Sequence, residues 1–304
     1  MCAKYITQCN ESDANILGHA NVANDFFSHR VNMYLLFDIG GTKMRMAVSF
    51  DGQNMQEVKV VATPRKFEDV LKVIESYIGI ADSTRSDKLV CCGLPGTLDK
   101  EKSMLISAPN LEEWKMKPIK KALSDMIRAP IYLENDAGLA GLGEALKGAG
   151  RGFSIVAFIT IGTGVGGVRI VDGRIDRSTF GFEPGHQIID LEEERYFKLE
   201  SFVSGTSIKL KFGQDAERIK DENVWKKIEK LIAVGLNNTI LHWSPEVVIL
   251  GGGIMKIENI SIEAIKQNLK EILKVFPTHP EIKRGELLEI AGLAGALNYL
   301  KQLK

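Results

Sequence analysis

The chain is poor in cysteine and has no excess of charge of either sign. Its 304 residues include four cysteines, and the 39 Lys and Arg are matched by 39 Asp and Glu. Because no two cysteines form a CxxC pair, we expect buried thiols rather than disulfides or a cysteine metal site, which suits a cytoplasmic location. A balanced charge excludes the diffuse basic field that draws proteins to nucleic acid or to anionic membranes.

Long apolar runs are also missing. No run approaches the ~18 residues that a membrane-spanning helix needs. Residues 1–33 lack both sustained periodicity and a signal-peptide apolar region, and we predict that they form a poorly ordered extension. The remainder is long enough for about two domains. We predict an N-terminal α/β domain over residues 34–136 and a C-terminal α/β domain over residues 137–292.

Glycine, by contrast, is concentrated in three segments, each of which follows an apolar, β-branched run. They are Asp38–Lys43, Ile161–Gly167 and Val248–Gly253. Each pattern indicates a turn at the end of a buried strand. Turns without side chains let backbone N–H groups approach a bound anion. With Glu134-Asn135-Asp136 between the first two, the order suggests a nucleotide held between two lobes beside a carboxylate.

The two halves of the chain begin alike. Residues 158–164 align with residues 36–42, and a one-residue gap then brings Asp172-Gly173 over Asp51-Gly52. This indicates a duplicated unit, although glycine-rich hairpins also resemble one another by chance. Alternating helical and strand patterns predict an α/β fold with two mixed sheets and a cleft between them. The last predicted elements are a strand over residues 287–291 and a terminal helix.

Six short segments, in this order, together resemble the ROK family, which groups repressors and sugar kinases such as glucokinases, fructokinases and N-acetylhexosamine kinases. The resemblance covers about residues 34–304. It implies a two-domain, actin-like (ribonuclease H-like) fold, with the nucleotide in the interdomain cleft and the terminal helix 293–304 packed back on the first domain. The segments are Asp38–Lys43, Glu134–Ala137, residues 159–167, Glu183–His186, Glu200–Gly205 and Gly251–Gly253.

One departure from the family pattern concerns a metal. Many family members have a zinc-binding cysteine cluster that follows a histidine matching His186. Here residues 187–199 contain no cysteine, and Lys198 stands where the last one would fall. Because tetrahedral zinc needs about four N or S ligands, we predict no zinc site. The group that positions His186 instead is left open.

Asp136 is the predicted general base. It follows a strand and begins a helix, so its local pattern also fits a helix N-cap. Matching to the family implies that it accepts the proton of the attacking sugar hydroxyl. A carboxylate in that position contributes roughly 10²–10⁴-fold to the rate.

ATP and Mg²⁺ are the implied cofactors. Asp38 is predicted to hold Mg²⁺ through water, beside the β- and γ-phosphates, although it could also be a simple turn residue. The glycine segments would surround the nucleotide, and singly each is equally well a tight turn. The predicted nucleotide-binding residues are Asp38, Gly40, Gly41, Thr42, Lys43, Thr160, Gly162, Thr163, Gly164, Gly251, Gly252 and Gly253.

Six further residues are predicted to bind a sugar, whose hydroxyls require converging amides and carboxylates. Alternatively, the asparagines are turn residues, the last glutamate is an acid favoured by the helix dipole, and the histidine is a core residue. The candidates are Gly96, Asn110, Asn135, Glu183, His186 and Glu200.

These patterns predict ATP-dependent phosphorylation of a hexose, by default glucose, at its terminal hydroxyl. A repressor of the same family is disfavoured because the extension is too short for a winged helix-turn-helix. A non-catalytic sugar or nucleotide sensor is the alternative. The expected partners are the sugar and ATP, without nucleic acid or membrane, and only the resemblance points to a homodimer.

Overall fold

The computed structural model describes residues 33–81, 87–192 and 195–303. Of the predicted N-terminal extension, only Met33 lies within the described residues, and it is the first residue of a strand. None of the helices in these three ranges is both long and apolar enough to cross a membrane.

The first lobe is built on a five-stranded sheet of order β3-β2-β1-β4-β7. Strands β1, β2 and β3 pair antiparallel, whereas β4 and β7 continue the sheet parallel to β1. Its elements are β1 (Met33–Ile39), β2 (Lys43–Ser49), β3 (Lys59–Ala62), α1 (Phe67–Ala81), β4 (Lys88–Leu94), the two-stranded ribbon β5 (Thr97–Leu98) and β6 (Leu105–Ser107), α2 (Ile119–Ile127) and β7 (Ile131–Asn135).

The second lobe repeats this arrangement. Its sheet has the order β10-β9-β8-β13-β14, with two antiparallel and then two parallel pairings. The two mixed sheets confirm the predicted α/β class. The elements are β8 (Ile155–Ile161), β9 (Val165–Val171), β10 (Arg174–Ile175), the ribbon β11 (Ile188–Glu192) and β12 (Arg195–Lys198), α4 (Glu200–Val203), α5 (Gly205–Phe212), α6 (Glu222–Trp243), β13 (Val247–Gly251), α7 (Ile262–Ile272) and β14 (Glu281–Arg284).

Two helices, α3 (Asp136–Lys147) and α8 (Ala291–Lys301), connect the lobes. Helix α3 packs on β8 and β9, α8 packs on β1 and β4, and the two helices pack on each other. A methyl group added at Gly143 would lie 2.2 Å from the carbonyl oxygen of Ala291, and one at Gly295 only 1.8 Å from that of Leu139. The helix backbones therefore touch, which explains why small residues fill both helices.

The predicted strand over residues 287–291 is wrong. Leu288–Ile290 form a 3-10 turn that leads into α8, and Leu288 has a left-handed backbone (φ 49°) that no strand contains. The buried Glu144 side chain accepts the N–H groups of Glu286 (3.1 Å) and Leu287 (2.8 Å), so these groups are unavailable to a sheet. A short apolar run does not by itself distinguish a strand from a helix entry.

Candidate active site

The carboxyl ends of three parallel strands bring acidic residues to one edge of the first sheet. In register, Asp38 of β1 pairs with Gly93 of β4, which pairs with Glu134 of β7. A methyl group added at Gly93 would lie 3.5 Å from the Cα of Asp136, the residue that begins α3. Ligands of α/β folds bind at such strand ends. The predicted general base and the predicted metal-holding residue therefore lie at the same edge.

Asn135, rather than Asp136, caps α3. Its Oδ1 accepts the N–H of Gly138 (3.0 Å), and its Nδ2 donates to the carbonyl oxygen of Gly96 (3.0 Å). Asp136 instead accepts the N–H of Ala137 through Oδ1 (2.8 Å). The N-cap role that the local pattern allowed for Asp136 is thus filled by Asn135. The amide of Asn135 also connects the start of α3 to the β4–β5 turn, which fixes the position of Asp136.

Both aspartates hold protons unusually tightly. The pKa of Asp136 is raised to about 7, mainly by burial and then by the negative charge of Asp38, while the N–H of Ala137 opposes the shift. Burial likewise raises the pKa of Asp38 to about 6, against the nearby Arg45 guanidinium, whose Nη1 lies 3.7 Å from Asp38 Oδ2. A carboxyl group with a pKa near neutrality can both take up and release a proton at physiological pH.

Asp38 also lies against the first turn of α8, since a methyl group at Gly292 would be 2.6 Å from its Cγ. Beyond Asp38, an ion-pair chain runs from Arg45 to Glu289 and on to Lys256. Burial, together with the charges of Arg45 and Lys43, lowers the pKa of Lys256. No motif in the sequence predicted this chain of ion pairs. The alternation of Lys43 and Arg45 on β2, which puts both on one face, was its only visible signal.

The first glycine segment forms the β1–β2 turn. The N–H of Gly40 donates to the carbonyl oxygen of Lys43 (2.9 Å), and Thr42 and Lys43 are exposed. A methyl group at Gly41 would lie 2.6 Å from the Cβ of Asn110. Asn110, predicted to bind sugar, therefore lies against the predicted phosphate turn.

The second glycine segment forms the equivalent β8–β9 turn. The N–H of Gly162 donates to the carbonyl oxygen of Gly164 (2.8 Å), and the carbonyl oxygen of Gly162 accepts the N–H of Gly205 at the start of α5 (2.7 Å). Beyond this turn, a methyl group at Gly166 would lie 3.1 Å from the Cβ of Ala137. The second turn is therefore next to the residue that follows Asp136. Thr163 lies between Gly162 and Gly164 at the tip of the turn.

The third glycine segment packs on the second. Gly251 pairs in register with Thr160. Gly252 has a left-handed backbone (φ 90°), and a methyl group there would lie 2.3 Å from the carbonyl oxygen of Ile161, whereas one at Gly253 would meet no atom within 4 Å. The predicted nucleotide residues of the second lobe thus form one continuous backbone surface.

Three predicted sugar ligands meet at the start of β9. Glu200 Oε2 accepts the N–H of Val165 (2.6 Å), and a methyl group at Gly185, between Glu183 and His186, would lie 2.3 Å from the carbonyl oxygen of Val165. Burial raises the pKa of Glu183, and the negative charge of Glu200 adds to this. Glu183 in turn raises the pKa of Asp136. The set is therefore electrostatically connected to the predicted base.

The side chain of Thr97, from the other lobe, opposes the rise in the pKa of Glu183, an influence that the sequence did not suggest. Gly96, directly before Thr97, has φ 102°, and a methyl group there would lie 2.2 Å from the carbonyl oxygen of Ser107. Glycine is thus required at position 96 by the β5–β6 ribbon itself.

His186 has a partner where the family pattern would place a cysteine. Lys198 Nζ on β12 lies 3.1 Å from His186 Nδ1. Because an ammonium group can only donate, Nδ1 accepts and the ring proton belongs on Nε2. In the three described ranges, no three His, Cys, Asp or Glu side chains are grouped so that they could hold a metal ion.

Comparisons with a family model, with known proteins and with solved structures all point to one family. The ROK family model matches residues 34–303. The glucokinase of Thermotoga maritima is 26% identical, with 87% of this chain and 96% of that protein aligned, and the N-acetyl-D-glucosamine kinase of Histophilus somni is 27% identical, with 87% and 97% aligned. The crystal structure of a ROK hexokinase from Thermus thermophilus superposes with a TM-score of 0.74 at 27% identity, covering 89% of this chain and 99% of that one.

Proposed function

The chain belongs to the ROK family, and its fold is the two-domain actin-like ATPase fold of these neighbours; we propose that it is an ATP-dependent sugar kinase. In this proposal it phosphorylates the terminal hydroxyl of a hexose. The observation that supports the proposal is Asp136 at the sheet edge that also carries Asp38, with its pKa raised to about 7, chiefly by burial. In the proposal, this carboxyl group is the proton acceptor between the phosphate side and the sugar side of one cleft.

In the reaction, the terminal hydroxyl oxygen of the sugar forms a bond to the γ-phosphorus of ATP. The bond from phosphorus to the β–γ bridging oxygen breaks, and ADP leaves with that electron pair. Asp136 accepts the hydroxyl proton as the new bond forms. Because the transition state is loose and highly charged, positioning and electrostatic stabilisation provide most of the catalysis.

The phosphate side is formed by backbone. The N–H groups of Gly40 and Gly162 donate within their own turns, so the phosphates would meet the other N–H groups of the turns at Gly40–Thr42 and Gly162–Gly164. The surface of Gly251–Gly253 would let adenine and ribose lie against the main chain. Asp38, a hard carboxylate ligand at the strand edge, is suited to hold a hydrated Mg²⁺. Bound there, Mg²⁺ would neutralise phosphate charge.

The sugar side is formed by Glu183, His186 and Glu200, with Asn135 at its edge. Carboxylates accept hydrogen bonds from hydroxyls, and His186 with its proton on Nε2 can donate one in return. Glucose is the default substrate because none of these polar positions requires an acetamido group. A cytoplasmic location is part of the proposal, and the buried, free thiols of Cys91 and Cys92 are consistent with it.

A coupled ADP-release assay with Mg-ATP across glucose, fructose, mannose and N-acetylhexosamines tests the proposal. We expect turnover that depends on sugar, with glucose giving the highest kcat/KM and ³¹P NMR locating the phosphate on the terminal oxygen. Sugar binding by calorimetry without turnover of any sugar would instead support the sensor alternative.

A further inference from the structure

An open cavity of about 590 Å³ lies between the lobes, beside the predicted sugar residues. Gly96, Asn135 and Glu183 form part of its wall, whereas neither Asp38 nor Asp136 lines it. Ligand cavities of roughly 300–1,000 Å³ enclose molecules of drug size, which is more than one sugar ring requires. The space therefore continues from the sugar side of the site, away from the reacting phosphate.

Both lobes meet at the rim of this cavity. Lys100 lies over the ring of Phe180, with 5.9 Å from its Nζ to the ring centroid, and Gln302 Nε2 donates to the carbonyl oxygen of Gly173 (2.6 Å). A ligand that fills the cavity would thus touch both lobes at once. Its binding would be coupled to the closure that a kinase site needs to exclude water.

Two of the four carboxylates of the cavity wall are paired with cations, Glu134 with Lys102 and Asp176 with Arg169 outside the wall. Asp99 accepts hydrogen bonds from the backbone and the hydroxyl of Ser103 and keeps its charge. Glu183 is the fourth acid of the wall.

Three other positively charged side chains also line the cavity wall. Within residues 33–81, 87–192 and 195–303, the side chains of Lys100, Arg174 and Arg177 form no ion pair. Two guanidinium groups and an ammonium group around one cavity favour an anion, and guanidinium binds carboxylate or phosphate through paired hydrogen bonds.

We propose that this cavity holds an anionic substituent of the acceptor, so that the preferred substrate is a hexose that bears a carboxylate or phosphate away from its terminal hydroxyl. This inference rests on the proposed sugar kinase function and narrows its substrate class. Asn135 and Glu183 stand at the junction, where the sugar ring would end and the substituent would begin.

Two matched pairs of sugars test the inference in the ADP-release assay. N-acetylmuramic acid is compared with N-acetylglucosamine, which lacks its lactyl carboxylate, and glucose 1-phosphate is compared with methyl glucoside. We expect the anionic member of at least one pair to have a kcat/KM at least ten times that of its neutral partner. Equal or lower values for both anionic sugars would overturn the inference, while turnover of the neutral sugars would leave the kinase proposal intact.

Variants of the cavity wall test whether the preference for an anionic sugar arises there. Arg174→Gln together with Arg177→Gln should lower kcat/KM about tenfold for the anionic sugar and less than twofold for its neutral partner. Lys230→Gln, which removes an exposed cation on α6, serves as the matched control and should change neither. Equal losses with both sugars would contradict the inference.

The cavity could bind a free anion instead of an anionic group carried by the sugar. To distinguish the two, free lactate or inorganic phosphate is added to the assay of the neutral sugar. If either activates turnover and the effect disappears in the double variant, the cavity binds an independent effector, and the substituent proposal is wrong. No turnover of any sugar in any arm would refute the kinase proposal itself.

Discussion

The two lobes share one sheet topology but divide the chemistry between them. Both sheets have two antiparallel and two parallel pairings in the same order, with a glycine turn between the first two strands. At the end of its first strand, the first lobe has Asp38, where the second has the aligned Thr160. At this turn the first lobe therefore has an acid where the second has a neutral hydroxyl.

The last strands of the two sheets extend this contrast. Strand β7 leads into Asp136, at the edge of the first sheet. Strand β14 leads into Gly285, Glu286 and Leu287, and the N–H groups of the last two are bound by the buried carboxylate of Glu144. The acid near β14 thus holds a loop, whereas the acid after β7 is the one that we propose as the general base.

Replacing the acid of the first lobe should have the largest effect. We expect Asp136→Asn to lower kcat about 10²–10⁴-fold with little change in the KM for sugar, because the amide keeps the shape but cannot accept the proton. Steady-state kinetics by ADP release measures this. Asp125→Asn, at an exposed aspartate on α2, is the control. Near-normal turnover by Asp136→Asn would remove the proposed base.

Removing glycine from the second lobe should have the next largest effect. Gly252→Ala places a methyl group 2.3 Å from a backbone oxygen in a left-handed conformation that alone costs roughly 1–2 kcal/mol. We expect a Tm lower by about 2–4 °C for each 1 kcal/mol lost and a KM for ATP raised roughly tenfold.

Gly253→Ala is the matched control for that experiment. Gly253 has φ −63° and open space around its Cα, so alanine fits it. Because Gly253 is itself a predicted nucleotide-binding residue, the comparison rests on stability: equal Tm values for the two variants would show that the fold has no special need for glycine at position 252.

Much of the strand and turn arrangement of the two lobes could be predicted from the sequence, because it depends on local patterns. Apolar runs that end in glycine define strand and turn together, so the segments at Gly40, Gly162 and Gly251 were found directly. The offset between the aligned halves also anticipated the matching sheets. The strand predicted over residues 287–291 failed because a side chain from α3, distant in sequence, takes the N–H groups that a strand would use.

The contacts between the lobes could not be predicted either, because the residues that form them lie far apart along the chain. The chain from Arg45 through Glu289 to Lys256 joins residues more than 200 positions apart. The hydrogen bond from Gln302 to Gly173 and the cavity near Asn135 also require both lobes to be in place. Only single members of these groups have a local pattern, so spacing along the chain could not assemble them.

A smaller effect is expected at the position where the second lobe departs from the family pattern. Lys198→Met removes the donor to His186 Nδ1 and frees the ring to change tautomer or turn. We expect the KM for sugar to rise roughly three- to tenfold with kcat nearly unchanged, since the lost hydrogen bond positions a binding group.

Lys198→Arg keeps a donor and should restore most of the affinity. Nitrogen NMR of the His186 ring gives a second readout, because the tautomer with its proton on Nε2 should dominate in the wild type and lose its dominance in Lys198→Met. An unchanged ring spectrum together with an unchanged KM would contradict a positioning role for Lys198.

The smallest expected effect is the influence of the Asp38 charge on the pKa of Asp136. Asp136 must be ionised to accept a proton, so kcat/KM should rise with pH through about 7 and level off above it. Asp38→Asn removes a negative charge that raises the pKa of Asp136, so the midpoint of this rise should move to lower pH, whatever happens to the height of the profile. Arg45→Gln acts in the opposite sense on Asp38, since losing the guanidinium raises the pKa of Asp38 further. A midpoint that stays in place in Asp38→Asn would mean that the two carboxyl groups titrate independently, and the acidic edge of the first lobe would then be two separate sites rather than one.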